Sequence, residues 1–131
     1  MDKPILSLAD AKRVAAAAAA EALANAWKVS IAVVDDGGHL LYLEREHDTR
    51  FGSVETAIAK AHMAAALQIP SKVSEDAVTS GRLIHLALPG VIPAEGGVPL
   101  SRNGVVIGAI GISGVRSFQD GQIAAAGMNA L

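Results

Sequence analysis

Two short glycine-bearing turns constrain this chain more than any other feature. Asp35-Asp36-Gly37-Gly38 separates the β-branched run Val29–Val34 from the run His39–Glu46. Arg102-Asn103-Gly104 separates Val98–Ser101 from Val105–Ser113. Glycine and asparagine adopt positive φ at low cost, so both segments read as tight β-hairpin turns. Hairpins make antiparallel strands, and whatever lies between two hairpins has to cover the faces of the sheet they build.

The intervening segments read as helices. Ser7 with Asp10 is an N-terminal cap with an acid in the first turn, and alanines dominate from there to Ala26. The run Ala15–Ala20 combines high helix propensity with almost no side-chain bulk, so this helix can lie close to a sheet or to a copy of itself. Phe51–Ile69 reads as a second helix, in which Phe51, Val54, Ile58, Ala61, His62, Ala65 and Ile69 share one stripe at helical spacing. Pro70 ends it, and Ser71 or Ser74 caps a shorter piece through Ser80. Gly81, Pro89-Gly90, Pro93 and Gly96-Gly97 then punctuate a looser segment. Ser117 with Asp120 opens the last helix. The order is helix, hairpin, helix, short helix, loop or strand, hairpin, helix. It predicts a single α+β domain over residues 1–131, with an antiparallel sheet of about five strands flanked by helices.

Composition removes several function classes. With 131 residues and a net charge of −2, the chain is one domain without the basic excess that neutralises phosphates. Aromatics make up 3% of it, too few for a base-stacking platform, so no nucleic-acid partner is expected. Cysteine is absent, which excludes disulfides, thiolate metal sites and cysteine nucleophiles. Met1-Asp2-Lys3-Pro4 lacks the basic stretch and apolar core of a secretory signal, so the cytoplasm is the expected location. The longest uncharged stretch, Asn103–Val115, is too short for a membrane span, and no membrane partner is expected.

Four blocks of the sequence carry a resemblance. Ser30–Arg45 (SIAVVDDGGHLLYLER) closely resembles the first hairpin of the GlcG/HbpS family, and Ala57–Ala61 (AIAKA) its central helix. Gly96–Leu100 (GGVPL) and Gly104–Gly114 (GVVIGAIGISG) resemble its second hairpin, and Gln119–Leu131 its terminal helix. The blocks occur in family order over nearly the whole chain. The resemblance implies a profilin-like sheet flanked by helices and a homo-oligomer. For function it implies haem or tetrapyrrole binding, as in the family's secreted haem binders. It also points to the C-terminal domain of PduO-type proteins and to small proteins of diol or glycolate metabolism. The sequence departs from the family pattern at Glu46-His47-Asp48, where Asp-Gly commonly follows the arginine, and at His62, where relatives often carry a small residue.

Individual residues suggest where a ligand would sit. His39, His47, His62 and His85 show no HxH, HxxxH or HExxH spacing, so no local metal motif exists. His62, in an otherwise apolar stripe, is either a packed histidine held by one hydrogen bond or a functional one: an axial haem-iron ligand or an acid/base. Lys60 projects opposite that stripe, among Thr56, Met63 and Leu67. It either binds a carboxylate or propionate, or reaches out to solvent or to a neighbouring subunit. Arg45 can clamp a carboxylate with its planar fork or pair with Glu44, Glu46 or Asp48. Gly96-Gly97 and Gly108, Gly111 and Gly114 demand close approach of something, either a ligand near Gly96, Gly97 and Ser113 or another backbone. Nucleotide motifs fail: neither GxGxxG nor GxxxxGK[ST] occurs, and Gly111-Ile112-Ser113-Gly114 is one residue short of GxSxG.

The expected function is therefore a small-ligand-binding domain taking haem or a related tetrapyrrole. Its candidate ligand-binding residues are His62, Lys60, Arg45, Gly96, Gly97 and Ser113, with His62 the candidate iron ligand. One alternative is an enzyme acting on a small hydroxy- or oxo-carboxylic acid, in which Lys60 and Arg45 hold the carboxylate and His62 moves a proton. The other is a structural homo-oligomer without turnover.

Overall fold

The computed structural model describes residues 3–131. The elements are α1 (Leu8–Ala24), β1 (Ser30–Asp35), β2 (Leu40–Arg45), α2 (Gly52–Leu67), α3 (Lys72–Thr79), β3 (Gly97–Arg102), β4 (Val105–Ser113) and α4 (Ser117–Met128). The four strands form one antiparallel sheet in the order β2-β1-β4-β3. A count of about five strands is thus one too many. The proline- and glycine-punctuated segment 81–96 makes a 3-10 turn at Leu83–Leu86 and further turns, not a strand. Its two prolines lack the N–H a ladder needs.

Both hairpins form where their turn residues place them. At the first, Asp35 Oδ1 accepts the backbone N–H of Gly37 and of His39, each at 2.9 Å, and Gly38 takes the left-handed conformation at φ 83°. This is the three-residue loop in which the last position must turn left-handed. The second turn places Asn103 at φ 54° and Gly104 at φ 77°, the pair of positive angles of a type I′ turn. At the start of α1, Ser7 Oγ accepts the Asp10 N–H at 3.0 Å, while Asp10 Oδ2 accepts the Ser7 N–H at 3.1 Å, closing a reciprocal cap.

The sheet is covered on both faces. On one, α1 and α4 enclose a core built from Val14, Ile31, Val33, Ile110, Ile112 and Ile123. On the other, α2 lies on Ala32, Val34 and Ala109 with Ala57, Ala61 and Ala64. That second core holds almost nothing larger than valine, so helix and sheet approach closely.

This close approach sets which side of α2 faces inward, and it is not the stripe expected from periodicity. Ser53, Ala57, Lys60, Ala61 and Ala64 are buried, whereas Phe51 is 82% exposed and His62 faces solvent. With apolar residues all round the helix, hydrophobic spacing discriminates weakly between faces, and backbone proximity selects the smallest side chains. A similar displacement occurs on β2. Strict alternation groups Leu41 with Leu43, but a register shift between Val33 and Val34 sends Leu41 to the α1 side with Tyr42.

Candidate functional site

The inward rotation of α2 buries Lys60. Its Nζ donates to Asp120 Oδ2 at 3.1 Å and to the Ile112 carbonyl at 3.0 Å, and both charged side chains are 3% exposed. Lys60 belongs to the layer on one face of the sheet and Asp120 to α4 on the other. The connection passes the start of β3, where Gly96 and Gly97 leave room for it. A Cβ at Gly96 would lie 2.9 Å from Lys60 Nζ and 3.0 Å from Asp120 Cβ, and one at Gly97 would strike the Lys60 carbonyl. The space beside the two glycines is therefore occupied by this chain's own lysine. Reaching solvent or a neighbouring subunit is not what Lys60 does here.

Asp120 also accepts the Val115 N–H at 3.3 Å. Burial pushes its carboxyl up to about 6, outweighing the opposing pull of Lys60. Glu95, whose carboxylate packs against Gly121, is likewise raised, first by burial and against the attraction of Lys72. By its spacing from Ser117, Asp120 reads in the sequence only as part of the opening of α4, whereas the reciprocal cap there is made by Arg116 and Gln119. The signal that would have found Asp120 is the demand of a buried lysine for a carboxylate, visible only once α2 is known to face inward with Lys60.

The other predicted residues lie elsewhere. Arg45 ends β2, is exposed, and donates to the Thr49 carbonyl at 3.3 Å. Arg45 and Ser113 both pair with Ser30, one from each side, so they share one end of the sheet. Ser30 Oγ in turn meets Ser53 Oγ of α2 at 2.8 Å. Ser113, Arg50, Ser53 and Thr56 line an open depression of about 280 Å³ there. His62 sits toward the opposite end, by the first hairpin. Its ring lies over Gly38, where a Cβ would come within 2.7 Å of Cδ2. Among the described residues no hydrogen bond holds the imidazole. One turn earlier, Ile58 packs against the small-residue core, as does Leu43 of β2.

The six candidates thus divide. Lys60, Gly96 and Gly97 form one buried cluster, Arg45 and Ser113 share a sheet end, and His62 stands by the first hairpin. Arg45 lies on edge strand β2 and Lys60 beside edge strand β3, three strand spacings or roughly 14 Å apart. A single small carboxylate cannot be held by both. Among the described residues no group of three His, Asp or Glu side chains is arranged to hold a metal ion, and no helix is long and apolar enough to cross a membrane.

Comparison with known proteins gives consistent results. The family model of the haem-degrading protein HbpS-like matches residues 6–129. The protein GlcG of Escherichia coli K12 is 42% identical over 111 residues, covering 85% of this chain and 83% of GlcG. Among solved structures, a PduOC–haem complex superposes with a TM-score of 0.86 at 31% identity, covering 98% of this chain and 96% of that one. HbpS superposes with a TM-score of 0.89 at 29% identity, covering 100% of this chain and 93% of the other.

Proposed function

The chain belongs to the HbpS-like family, and from that membership we propose that it binds haem or a closely related tetrapyrrole. The observation that carries this reading is the haem held by PduOC, a relative whose fold this chain shares almost end to end. The residues present fit such a group at the surface formed by α2 and β2. His62 offers an exposed imidazole with no competing hydrogen bond among the described residues, the donor an axial iron site needs. Ile58 and Leu43 provide apolar surface on that side of the sheet, whereas Arg45, at the opposite end of β2, stands too far from His62 to reach a propionate of the same haem. When bound, the haem iron supplies the capacity for redox chemistry. The protein's own part is positional. Gly38 makes room for the His62 ring, and the Lys60–Asp120 pair ties the inner side of the helix that carries it.

Titration of the purified chain with haemin, followed at the Soret band, is expected to give a saturable red-shifted absorbance. His62→Ala is expected to remove or shift that band while leaving the melting temperature nearly unchanged, because the side chain is exposed. A band that survives the substitution keeps haem and removes His62 as ligand. No saturable band discards the reading.

The same reading includes a homo-oligomer. It is supported by Leu83, Ile84, Leu86 and Leu88, which are 41–63% exposed along one segment. Sedimentation is expected to return at least twice the 13.3 kDa chain mass. A monomer mass throughout the concentration range removes this part of the proposal.

A further inference from the structure

On the opposite face of the sheet from His62, the C-terminal end of α1 stands off β1 and β2 and leaves a cleft of about 270 Å³. Its apolar wall comes from Ala22 and Leu23 of α1 together with Val29, and the single tryptophan of the chain, Trp27, lines it. Glu44 of β2 and Glu46, two residues on and just past the strand's end, supply carboxylates, while Lys28 is exposed and forms no ion pair with either among the described residues. Glu46 spends one oxygen on the His47 N–H at 2.8 Å, which leaves the other open.

A third source of negative potential is the end of α1 itself. This helix of 17 residues carries no basic residue in its last turn. Although the N–H groups of Asn25, Ala26 and Trp27 cap the Ala22 and Leu23 carbonyls, the helix end keeps part of its negative potential toward the cleft, which Lys28 also lines. Carboxylates, a helix C-terminus and an indole all favour the same ligand, a cation with an apolar surface. The volume lies just below the usual range for small-molecule pockets and so suits a compact molecule.

We propose that this cleft binds a small organic ammonium ion, with the charged nitrogen between Trp27, Glu44 and Glu46 and its alkyl groups against Leu23 and Val29. The proposal is independent of the haem reading, which concerns the other face of the sheet.

Because the chain has one tryptophan, a single indole N–H resonance reports the cleft. The probe is choline, compared with 3,3-dimethylbutan-1-ol, which has the same shape without the charge. Choline is expected to shift the resonance saturably, and the neutral compound to bind at least tenfold more weakly. Glu44→Gln and Glu46→Gln are each expected to weaken choline about threefold, and together about tenfold. Glu46 is exposed, so its substitution tests the charge even if Glu44→Gln lowers stability. Equal responses to the two compounds, no saturable shift with choline, or unchanged choline binding in both variants would overturn the proposal.

Discussion

Replacing Asp120 by alanine is expected to destabilise the fold by about 3–5 kcal/mol, because the buried Lys60 ammonium and the Val115 N–H lose an acceptor that even a protonated carboxyl supplies. The Lys60 ammonium is 3% exposed, and apart from Asp120 its acceptor is the neutral Ile112 carbonyl. Water cannot take the place of the lost carboxylate without opening the contact between the two helical layers. The double substitution Lys60→Met with Asp120→Leu removes both charges and keeps the volume, so it is expected to recover most of the loss. Urea denaturation at pH 7.5 checks both. A loss from Asp120→Ala no larger than that from breaking the exposed Lys72–Asp76 pair would show that the ion pair is hydrated in solution.

The same residue predicts a pH dependence. The Asp120 carboxyl is raised from its ordinary 3.8 to about 6 in the folded chain. Between those values the native state holds a proton that the unfolded state has lost. Its contribution to stability is therefore greatest below about 4, falls as the pH rises through about 6, and is level above that. Asp120→Asn is expected to flatten the stability profile across this window. An unchanged slope would move the effect to another group, with Glu95 the first to examine because it is raised as well.

What the sequence made legible follows from the range of the interactions involved. Both hairpins could be read because turn chemistry is local: Asp35, Gly38, Asn103 and Gly104 carry their conformational preference within a few residues. The reciprocal cap of Ser7 and Asp10 is local in the same way. The face of α2 was not legible, because it is set by a partner about fifty residues away, the glycine-rich strand β4. A helix whose residues are alanine on nearly every side gives periodicity little to detect. The role of Lys60 depends on that face. Placed on the outward side it reads as a ligand hook, and placed inward it becomes one half of an ion pair with Asp120, sixty residues later. The glycines stood between these cases. Their spacing announced close approach, but whether ligand or backbone filled the space depended on where α2 lay.

That distinction predicts the second large effect. Gly111→Ala is expected to destabilise the chain by about 3 kcal/mol, at the top of the usual range for an overpacked core because the obstacles are main-chain atoms. An added Cβ would press on the Ala57 carbonyl oxygen and sit 2.5 Å from the Ala61 nitrogen and 3.0 Å from its Cβ. No rotamer change relieves this, so α2 has to move off the sheet, and the small-residue core of Ala32, Ala57, Ala61 and Ala109 loses its contacts with it. The corresponding drop in melting temperature is roughly 10 °C for a domain of this size. Two other glycines serve as controls, since each isolates a different cost. Gly104 has φ +77° and nothing within 4 Å of where an added methyl group would sit, so Gly104→Ala meets only left-handed strain, about 1 kcal/mol. Gly52 has neither obstacle nor positive φ and begins a helix, so Gly52→Ala is expected to be neutral or slightly stabilising. The order Gly111, Gly104, Gly52 separates steric from conformational roles. If Gly111→Ala proved as mild as Gly104→Ala, α2 would have to ride loosely over β4, and Lys60, carried on the same helix, could not be held to Asp120 as a buried pair.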